Sequence, residues 1–183
     1  IQVHELYGMT EVGGWSTGNT VEAFRFGSCG KPRPDLDVRE VGPDDRPLPA
    51  GEVGEIVVRP IEPDTILMGY YRKEDKLAES VRNLWFHSGD LATRDGDGYY
   101  FIVDRKKDMI IRNGMNVYPR EVEEVLYTHP AVAEAAVFGV PDALHGEEIA
   151  CLVTLKEGSA ATDEEIRDHV AAKIAAYKYP RIV

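Results

Sequence analysis

Short segments with alternating apolar and polar residues fill the first part of the chain. Residues 38–41 and 54–59 show this alternation, and stretches rich in Gly, Pro and Asp separate them. A period of two is typical of β-strands that pair as antiparallel hairpins. In this pattern Glu52 and Glu55 are expected to face solvent. The sequence therefore predicts β-structure, with one short exposed helix at residues 73–80.

A stronger hairpin signal lies farther along the chain. Residues 94–98 read RDGDG, which is typical of a tight turn, and residues 99–103 form the return strand. Residues 104–108, DRKKD, then form a charged run between two apolar segments, which is typical of a solvated loop or linker. We therefore predict a β-rich region over residues 1–103, a hinge at residues 104–107 and a second, smaller domain over residues 108–183.

The second domain contains two segments with helical spacing. Pro119 suits the first turn of a helix that ends at residues 129–130, His-Pro. Thr162 and Glu165 form a capping box at the start of another helix, which is expected to end near Tyr177. The apolar faces consist of Val122, Val125 and Leu126 in the first helix and Ile166, Val170 and Ile174 in the second.

The rest of the second domain is predicted to form a sheet. Residues 109–111, 132–140 and 148–155 are apolar strand segments, and residues 113–116 form a turn that contains a glycine. Residues 182–183 resemble the beginning of a further strand. The fold class is thus α+β, and this domain has about three strands and two helices.

The N-terminal segment carries candidate phosphate chemistry. Residues 1–6 are predicted as a strand that leads into the loop Tyr7-Gly8-Met9-Thr10-Glu11. A Gly/Thr loop after a strand can present N–H groups and a hydroxyl to a phosphate. Glu11 can hold Mg²⁺, and Tyr7 can stack on an aromatic base. The alternative is an ordinary exit from a strand into a turn.

A second candidate is Asp90 in the segment Ser88-Gly89-Asp90. A carboxylate next to a glycine can approach a ligand closely and accept two hydrogen bonds from a ribose diol. The alternative is a turn that the aspartate caps. His87 is expected to be a partly buried residue beside Trp85 and Phe86, because no nucleophile partner or metal-ligand set lies near it in the sequence.

The composition excludes several classes of protein. A net charge of −11 and a pI near 4.9 disfavour binding to nucleic acid. Two distant cysteines, Cys29 and Cys151, favour neither a zinc site nor a disulfide framework, so a reducing, cytoplasmic location is expected. The sequence contains no apolar run long enough to span a membrane. Both ends suggest a segment cut from a longer protein.

Several motifs occur together in a specific order over nearly the whole chain. They are YGMTE, GEVGEIVVR, GYY, WFHSGDL, DGYYFIVDRKKDMI, NGMNVYPREVEEVL, HPAVAEAAVFGVPD and KYPR. With these motifs the chain resembles the adenylate-forming acyl-CoA synthetases, and most of all the fatty-acid–CoA ligases.

The resemblance implies a role for each matching residue. It makes residues 1–103 the end of a large AMP-binding domain, followed by a mobile C-terminal domain. ATP or AMP, Mg²⁺, CoA and a fatty or aryl acid would be the ligands. Tyr7 would pack against adenine, and Gly8 would also be part of the nucleotide site. Thr10 would bond the α-phosphate and Glu11 would place magnesium. Asp90 would hold the ribose hydroxyls, Arg105 would reach the ribose or phosphates, Lys107 would lie at the hinge and Gly114 would line the CoA passage.

The resemblance also implies what this chain lacks. The family's catalytic lysine lies beyond the position of Val183, and its phosphate-binding loop and most of the acid pocket lie upstream of Ile1. We therefore expect the chain alone to be inactive and to self-associate through uncovered apolar surface. Two alternatives to a CoA ligase remain: an adenylation domain that loads a carrier protein, and a non-catalytic nucleotide-binding module.

Overall fold

The computed structural model describes residues 3–183, which form two compact units. The first unit ends at Val103, and the second spans Asp104–Val183. Each unit has its own cluster of buried apolar side chains. None of the helices in the described part of the chain has the length and apolar character needed to cross a bilayer.

Two antiparallel sheets build the first unit. One has the strand order β1-β2-β3; the other has the order β4-β5-β7-β6, with β8 also paired to β7. The helical segments are a 3₁₀ turn at Thr10–Val12 and the exposed helix α1 at Glu74–Ser80, as predicted. The strands are β1 (Leu6–Met9), β2 (Gly14–Gly18), β3 (Lys31–Pro32), β4 (Leu36–Val41), β5 (Gly54–Pro60), β6 (Val81–Arg82), β7 (Trp85–Arg94) and β8 (Tyr100–Arg105).

Strand β5 is the central element of the larger sheet. It pairs with β4 on one side and β7 on the other, and its residues 54–58 are all buried. Ile56 and Val58 pack with Val38 of β4 and Phe86 of β7 in the core. The predicted hairpin is confirmed, since Arg94 ends β7 and the Asp95 N–H donates to the Tyr99 carbonyl at 3.0 Å.

The prediction of a strand at residues 1–6 is wrong for residues 3–5, which lie outside any strand. Residues 1 and 2 lie outside the described residues, and β1 instead runs from Leu6 to Met9 through the segment predicted as a loop. Its partner β2 was not predicted. A side chain at Gly8 would place its Cβ 2.0 Å from the Gly14 carbonyl oxygen, so the glycine permits close strand pairing rather than a turn.

The second unit packs two helices on a sheet of order β10-β9-β12-β11. Ile110, Val117 and Ile149 from the sheet meet Leu126 and Val170 from the helices in its core. The sheet has four strands among the described residues, where about three were expected. The elements are β9 (Ile110–Arg112), β10 (Met115–Val117), α2 (Pro119–Tyr127), β11 (Val132–Asp142), β12 (Gly146–Leu155) and α3 (Asp163–Ala171).

The two ends of α3 differ in how well the sequence predicts them. The capping box is confirmed, because the Thr162 hydroxyl accepts from the Glu165 N–H and the Glu165 carboxylate accepts from the Thr162 N–H. The helix ends at Ala171 rather than near Tyr177. The Lys173 N–H donates to the Val170 carbonyl at 3.0 Å, so the chain tightens into a turn that satisfies the last carbonyls.

Candidate functional site

Asp90 lies at the end of a bulge in β7. The pairing of β5 with β7 shifts register between Glu55 and Val57, so residues 88–90 lie opposite the single residue Ile56. The backbone of Gly89 has φ +78° at this point, a conformation that favours glycine. Bulges commonly redirect a side chain beside a functional site.

Side chains satisfy the backbone groups that the bulge leaves without ladder partners. The Ser88 hydroxyl donates to the Ile56 carbonyl at 2.8 Å and accepts from the Asp90 N–H at 3.1 Å. The Gly89 N–H donates to Oε1 of Glu55 at 3.2 Å. The bulge is therefore a defined structure whose conformation depends on Ser88 and Glu55.

The bulge brings Asp90 into contact with Tyr7, 83 residues away in the sequence. The Tyr7 hydroxyl donates to Oδ2 of Asp90 at 2.7 Å. Burial raises the pKa of the Tyr7 hydroxyl, and the Asp90 carboxylate raises it further, so the hydroxyl stays protonated and acts as the donor. A carboxylate accepts several hydrogen bonds at once, so this contact is compatible with a ribose diol on Asp90.

Thr10 and Glu11 lie in the 3₁₀ turn that follows β1. Gly13 closes the turn through its N–H, which donates to the Thr10 carbonyl at 3.1 Å. The Leu67 N–H donates to the Glu11 carbonyl at 2.7 Å, and the Tyr70 hydroxyl donates to Oε1 of Glu11 at 3.1 Å. Thr10 is exposed and Glu11 is half-buried, so both can reach a ligand outside the turn.

A magnesium ion fits this turn only as a partner of the substrate. Among residues 3–183, no group of three or more His, Cys, Asp or Glu side chains is placed to hold a metal ion. Mg²⁺ keeps several waters and uses one or two carboxylates together with phosphate oxygens. The single carboxylate of Glu11 is compatible with that mode of binding.

The remaining predicted residues lie in the second unit. Arg105 ends β8, and Lys107 lies in an exposed turn that the Asp108 N–H closes by donating to the Arg105 carbonyl at 3.1 Å. Asn113 and Gly114 connect β9 to β10 with φ values of +52° and +75°. Two positive φ values identify a two-residue turn of the type that Asn-Gly favours.

Asp104 caps a helix from outside it. Its Oδ2 accepts from the Arg120 N–H at 3.0 Å, and its Oδ1 accepts from the Arg105 N–H at 2.7 Å. Tyr118, the residue at the N-cap of α2, provides no side-chain hydrogen bond. The carboxylate of Asp104 thus satisfies one of the first N–H groups of the helix and complements its dipole.

Sequence reasoning missed Glu55 and Tyr70. Glu52 is exposed as predicted, but the prediction that Glu55 faces solvent is wrong, because only 6% of Glu55 is exposed. Alternation alone gives no sign that both faces of β5 are covered. The GYY motif includes Tyr70, but nothing in the local pattern links it to Glu11. His87 was expected to be partly buried and is buried, with 8% of it exposed.

Two family models match the chain in consecutive order. Residues 1–71 match the model described as AMP-binding enzyme, and residues 121–183 match the one described as AMP-binding enzyme C-terminal domain. The chain belongs to the AMP-binding enzymes. Each unit carries one of these matches, and the matched segments include Tyr7, Gly8, Thr10 and Glu11.

Curated relatives of this chain include several acid–CoA ligases. A feruloyl-CoA synthase from Amycolatopsis sp. is 44% identical over 179 residues, which are 97% of this chain and 36% of that protein. A long-chain-fatty-acid–CoA ligase from Yersinia pestis is 40% identical over 180 residues, or 98% of this chain and 31% of that protein. The chain thus spans about a third of the length of these relatives.

Solved structures support the same fold. The crystal structure of ATP-bound MatB from Rhodopseudomonas palustris has a TM-score of 0.89 and 33% identity, with 99% of this chain and 36% of that chain covered. The mixed arrangement of sheets and three helices in residues 3–183 is therefore the corresponding part of the adenylate-forming enzyme fold.

Proposed function

We propose that this chain is part of an ATP-dependent acid–CoA ligase that acts on a fatty or aryl acid. The observation that carries the proposal is the hydrogen bond between Tyr7 and Asp90, which joins the two nucleotide candidates across 83 residues. The membership in the AMP-binding enzymes and the CoA-ligase relatives support it. In the reaction, the acid and ATP form acyl-AMP and pyrophosphate, and the CoA thiol then displaces AMP to form the thioester.

The first unit supplies groups suited to the adenylation step. Tyr7 and Gly8 border the adenine, Asp90 accepts hydrogen bonds from the ribose, and the Thr10 hydroxyl donates to the α-phosphate. When the acid carboxylate attacks the α-phosphorus and pyrophosphate leaves, negative charge increases on the phosphate oxygens. Donors and positive charge held at those oxygens stabilise the transition state. Mg²⁺ at Glu11 would neutralise part of this charge.

The second unit supplies groups for the change from the adenylation step to the thioester-forming step. Arg105 contributes to binding of the ribose or phosphates, and Lys107 is the hinge about which the C-terminal domain turns. The Gly114 turn lines the passage for the pantetheine arm of CoA. A domain rotation presents different groups to one site in sequence, which suits a reaction with two unlike steps.

The location and association of the chain are further parts of the proposal. The two cysteines, Cys29 and Cys151, are free and buried, which is compatible with a reducing cytoplasm. Phe26 and Met68 are 89% and 90% exposed, and Tyr71 is also exposed. Apolar surface of this kind supports self-association of the 183-residue chain.

Acid-dependent exchange of pyrophosphate into ATP tests the ligase reaction. The 183-residue chain and the complete product of its gene would be assayed side by side with acids from acetate to palmitate and with benzoate. Because the chain spans about a third of the length of its relatives, we expect exchange only in the complete product. The acid that supports exchange identifies the substrate class.

The acceptor is tested by following thioester formation after exchange is found. Thioester with free CoA supports the ligase, whereas thioester only with a carrier protein would refute the CoA step. A complete gene product that binds AMP without any acid-dependent exchange would refute the enzymatic proposal in favour of a binding module. Asp90→Asn of the complete gene product is the variant to compare with the unaltered protein in these assays, since it keeps the shape of the side chain and removes its charge.

A further inference from the structure

Glu55 is a buried acidic residue beside the candidate ribose site, and no role follows for it from the adenylation chemistry above. It lies on the central strand β5, where only 6% of it is exposed. Its Oε2 lies 3.1 Å from Nδ1 of His87 and 3.7 Å from the guanidinium of Arg82. Burial of a carboxylate is costly unless such partners balance its charge.

The other oxygen of Glu55 holds the bulge of β7. Oε1 accepts from the Gly89 N–H at 3.2 Å, at the residue immediately before Asp90. Gly89 has φ +78° and lies within the register shift between β5 and β7, where its N–H donates to this carboxylate. A carboxylate from the neighbouring strand is thus an acceptor for a backbone donor of the bulge.

Two successive backbone N–H groups, those of Gly89 and Asp90, are therefore held by side chains from β5 and β7. Ser88 accepts from the Asp90 N–H, Glu55 accepts from the preceding N–H, and Tyr7 donates to the Asp90 carboxylate at 2.7 Å. Without the Glu55 contact the peptide group of Gly89 can rotate. This rotation changes the direction in which the side chain of Asp90 projects from β7. Misplacement of a binding group by about 1 Å is enough to weaken its function strongly.

We propose that Glu55 is a positioning residue that holds Asp90 in the orientation needed to bind the two ribose hydroxyls of the nucleotide. The inference rests on the proposed ribose role of Asp90. Glu55 itself acts through Gly89 and makes no contact with the nucleotide. It therefore determines how strongly the site prefers a ribonucleotide over an analogue without those hydroxyls.

The test compares the affinities of the complete gene product for AMP and for 2′,3′-dideoxy-AMP by calorimetry. Hydrogen bonds between hydroxyls and a carboxylate are expected to favour AMP by roughly ten- to hundredfold. Glu55→Ala should reduce this ratio by about tenfold, and Glu55→Gln by about threefold, because its amide oxygen can still accept from Gly89. The matched control Glu52→Gln changes an exposed glutamate three residues away and should leave the ratio unchanged.

The ratio separates positioning from a purely structural role. A Glu55 that only stabilised the fold would lower the folded fraction and weaken both nucleotides equally, and an unchanged ratio in folded Glu55→Ala would overturn the proposal. Glu55→Leu, which keeps much of the side-chain volume and has no acceptor for the Gly89 N–H, decides the question if Glu55→Ala does not fold. As a second readout, amide exchange at Gly89 should accelerate in Glu55→Leu but not in Glu52→Gln, and unaltered exchange would also count against the proposal.

The same measurements distinguish failure of the proposed function from failure of the Glu55 proposal. Equal affinity of the unaltered protein for the two nucleotides would overturn the ribose role of Asp90 and the positioning role of Glu55 together. Absence of pyrophosphate exchange with a normal preference for AMP would overturn only the ligase reaction. A preference for AMP that Glu55→Ala and Glu55→Leu retain in full would overturn the Glu55 proposal alone.

Discussion

Removal of one partner of the buried ion pair in the second unit should unfold that unit selectively. Nε of Arg112 donates to Oε1 of Glu148 at 2.8 Å, and Nη2 donates to Oε2 at 3.0 Å. Both residues are buried, with 8% and 9% exposed. Glu148→Ala leaves the guanidinium of Arg112 buried without its counter-charge, and such a change costs about 3–5 kcal/mol. A unit of this size is only marginally stable, so the loss is most of what holds it folded.

The double variant Arg112→Met, Glu148→Leu sharpens this prediction. Replacement of both charges by apolar side chains of similar volume removes the unpaired charge, so the double variant should regain most of the lost stability. The control is Glu124→Ala, which removes an exposed i,i+4 partner of Arg120 at 3.3 Å and should cost less than about 0.5 kcal/mol.

The assay must resolve the two units. Both tryptophans, Trp15 and Trp85, lie in the first unit, so tryptophan fluorescence does not report on the second. Hydrogen exchange of peptides from β9 and β12, followed by mass spectrometry, gives the opening free energy of the second unit directly. A loss below about 1 kcal/mol in Glu148→Ala, or a double variant as unstable as the single one, would refute the reasoning from burial.

Three further predictions concern stability. Gly8→Ala should lower the free energy of unfolding of the first unit by about 2 kcal/mol or more, because the new Cβ meets the Gly14 carbonyl. Urea denaturation followed by tryptophan fluorescence measures this loss, and an unchanged midpoint would contradict the prediction. Thr162→Ala removes the capping box of α3 and should cost about 1 kcal/mol in the exchange of second-unit peptides, whereas equal exchange would show that the cap is dispensable. Burial alone would raise the pKa of Glu148, but Arg112 and a backbone N–H hold this pKa below its ordinary value. The ionised Glu148 therefore contributes fully to the stability of the second unit above the unfolded pKa of about 4.3. This contribution is lost as the pH falls through the lower folded pKa. Exchange measured between about pH 3 and pH 6 should therefore show a loss of second-unit stability toward acid that is smaller in Glu148→Gln, and identical slopes would refute it.

Features that short sequence segments encode were predictable. The RDGDG hairpin, the capping box of α3 and the start of α2 at Pro119 each depend on residues within a few positions of one another. Their chemistry selects one local conformation whatever the rest of the chain does. Of these elements only the hairpin adjoins the candidate site in sequence, because it follows β7, which carries Asp90.

Features that depend on distant pairing were not predictable. Glu55 is buried on the central strand β5, where its carboxylate accepts from Gly89 in the bulge of β7, 34 residues later, and no local pattern encodes that contact. Gly8 suggested a turn because glycines commonly occur there, whereas its lack of a side chain allows β1 to approach β2. The contact between Tyr7 and Asp90 arises only when these pairings have formed.

The contact that Asp104 makes with α2 has a consequence for the proposed hinge. Asp104 is three residues before Lys107, and its carboxylate accepts from the Arg120 N–H at the start of the helix. Asp104 and Arg120 belong to the same unit, so this hydrogen bond ties the first residue of the proposed hinge, residues 104–107, to α2. Loss of a helix cap costs about 1 kcal/mol, so a change of backbone conformation in the proposed hinge is expected after Asp104 rather than at it. Asp104→Gly should remove this restraint and accelerate amide exchange in peptides of α2, and unchanged exchange would refute the role of the contact.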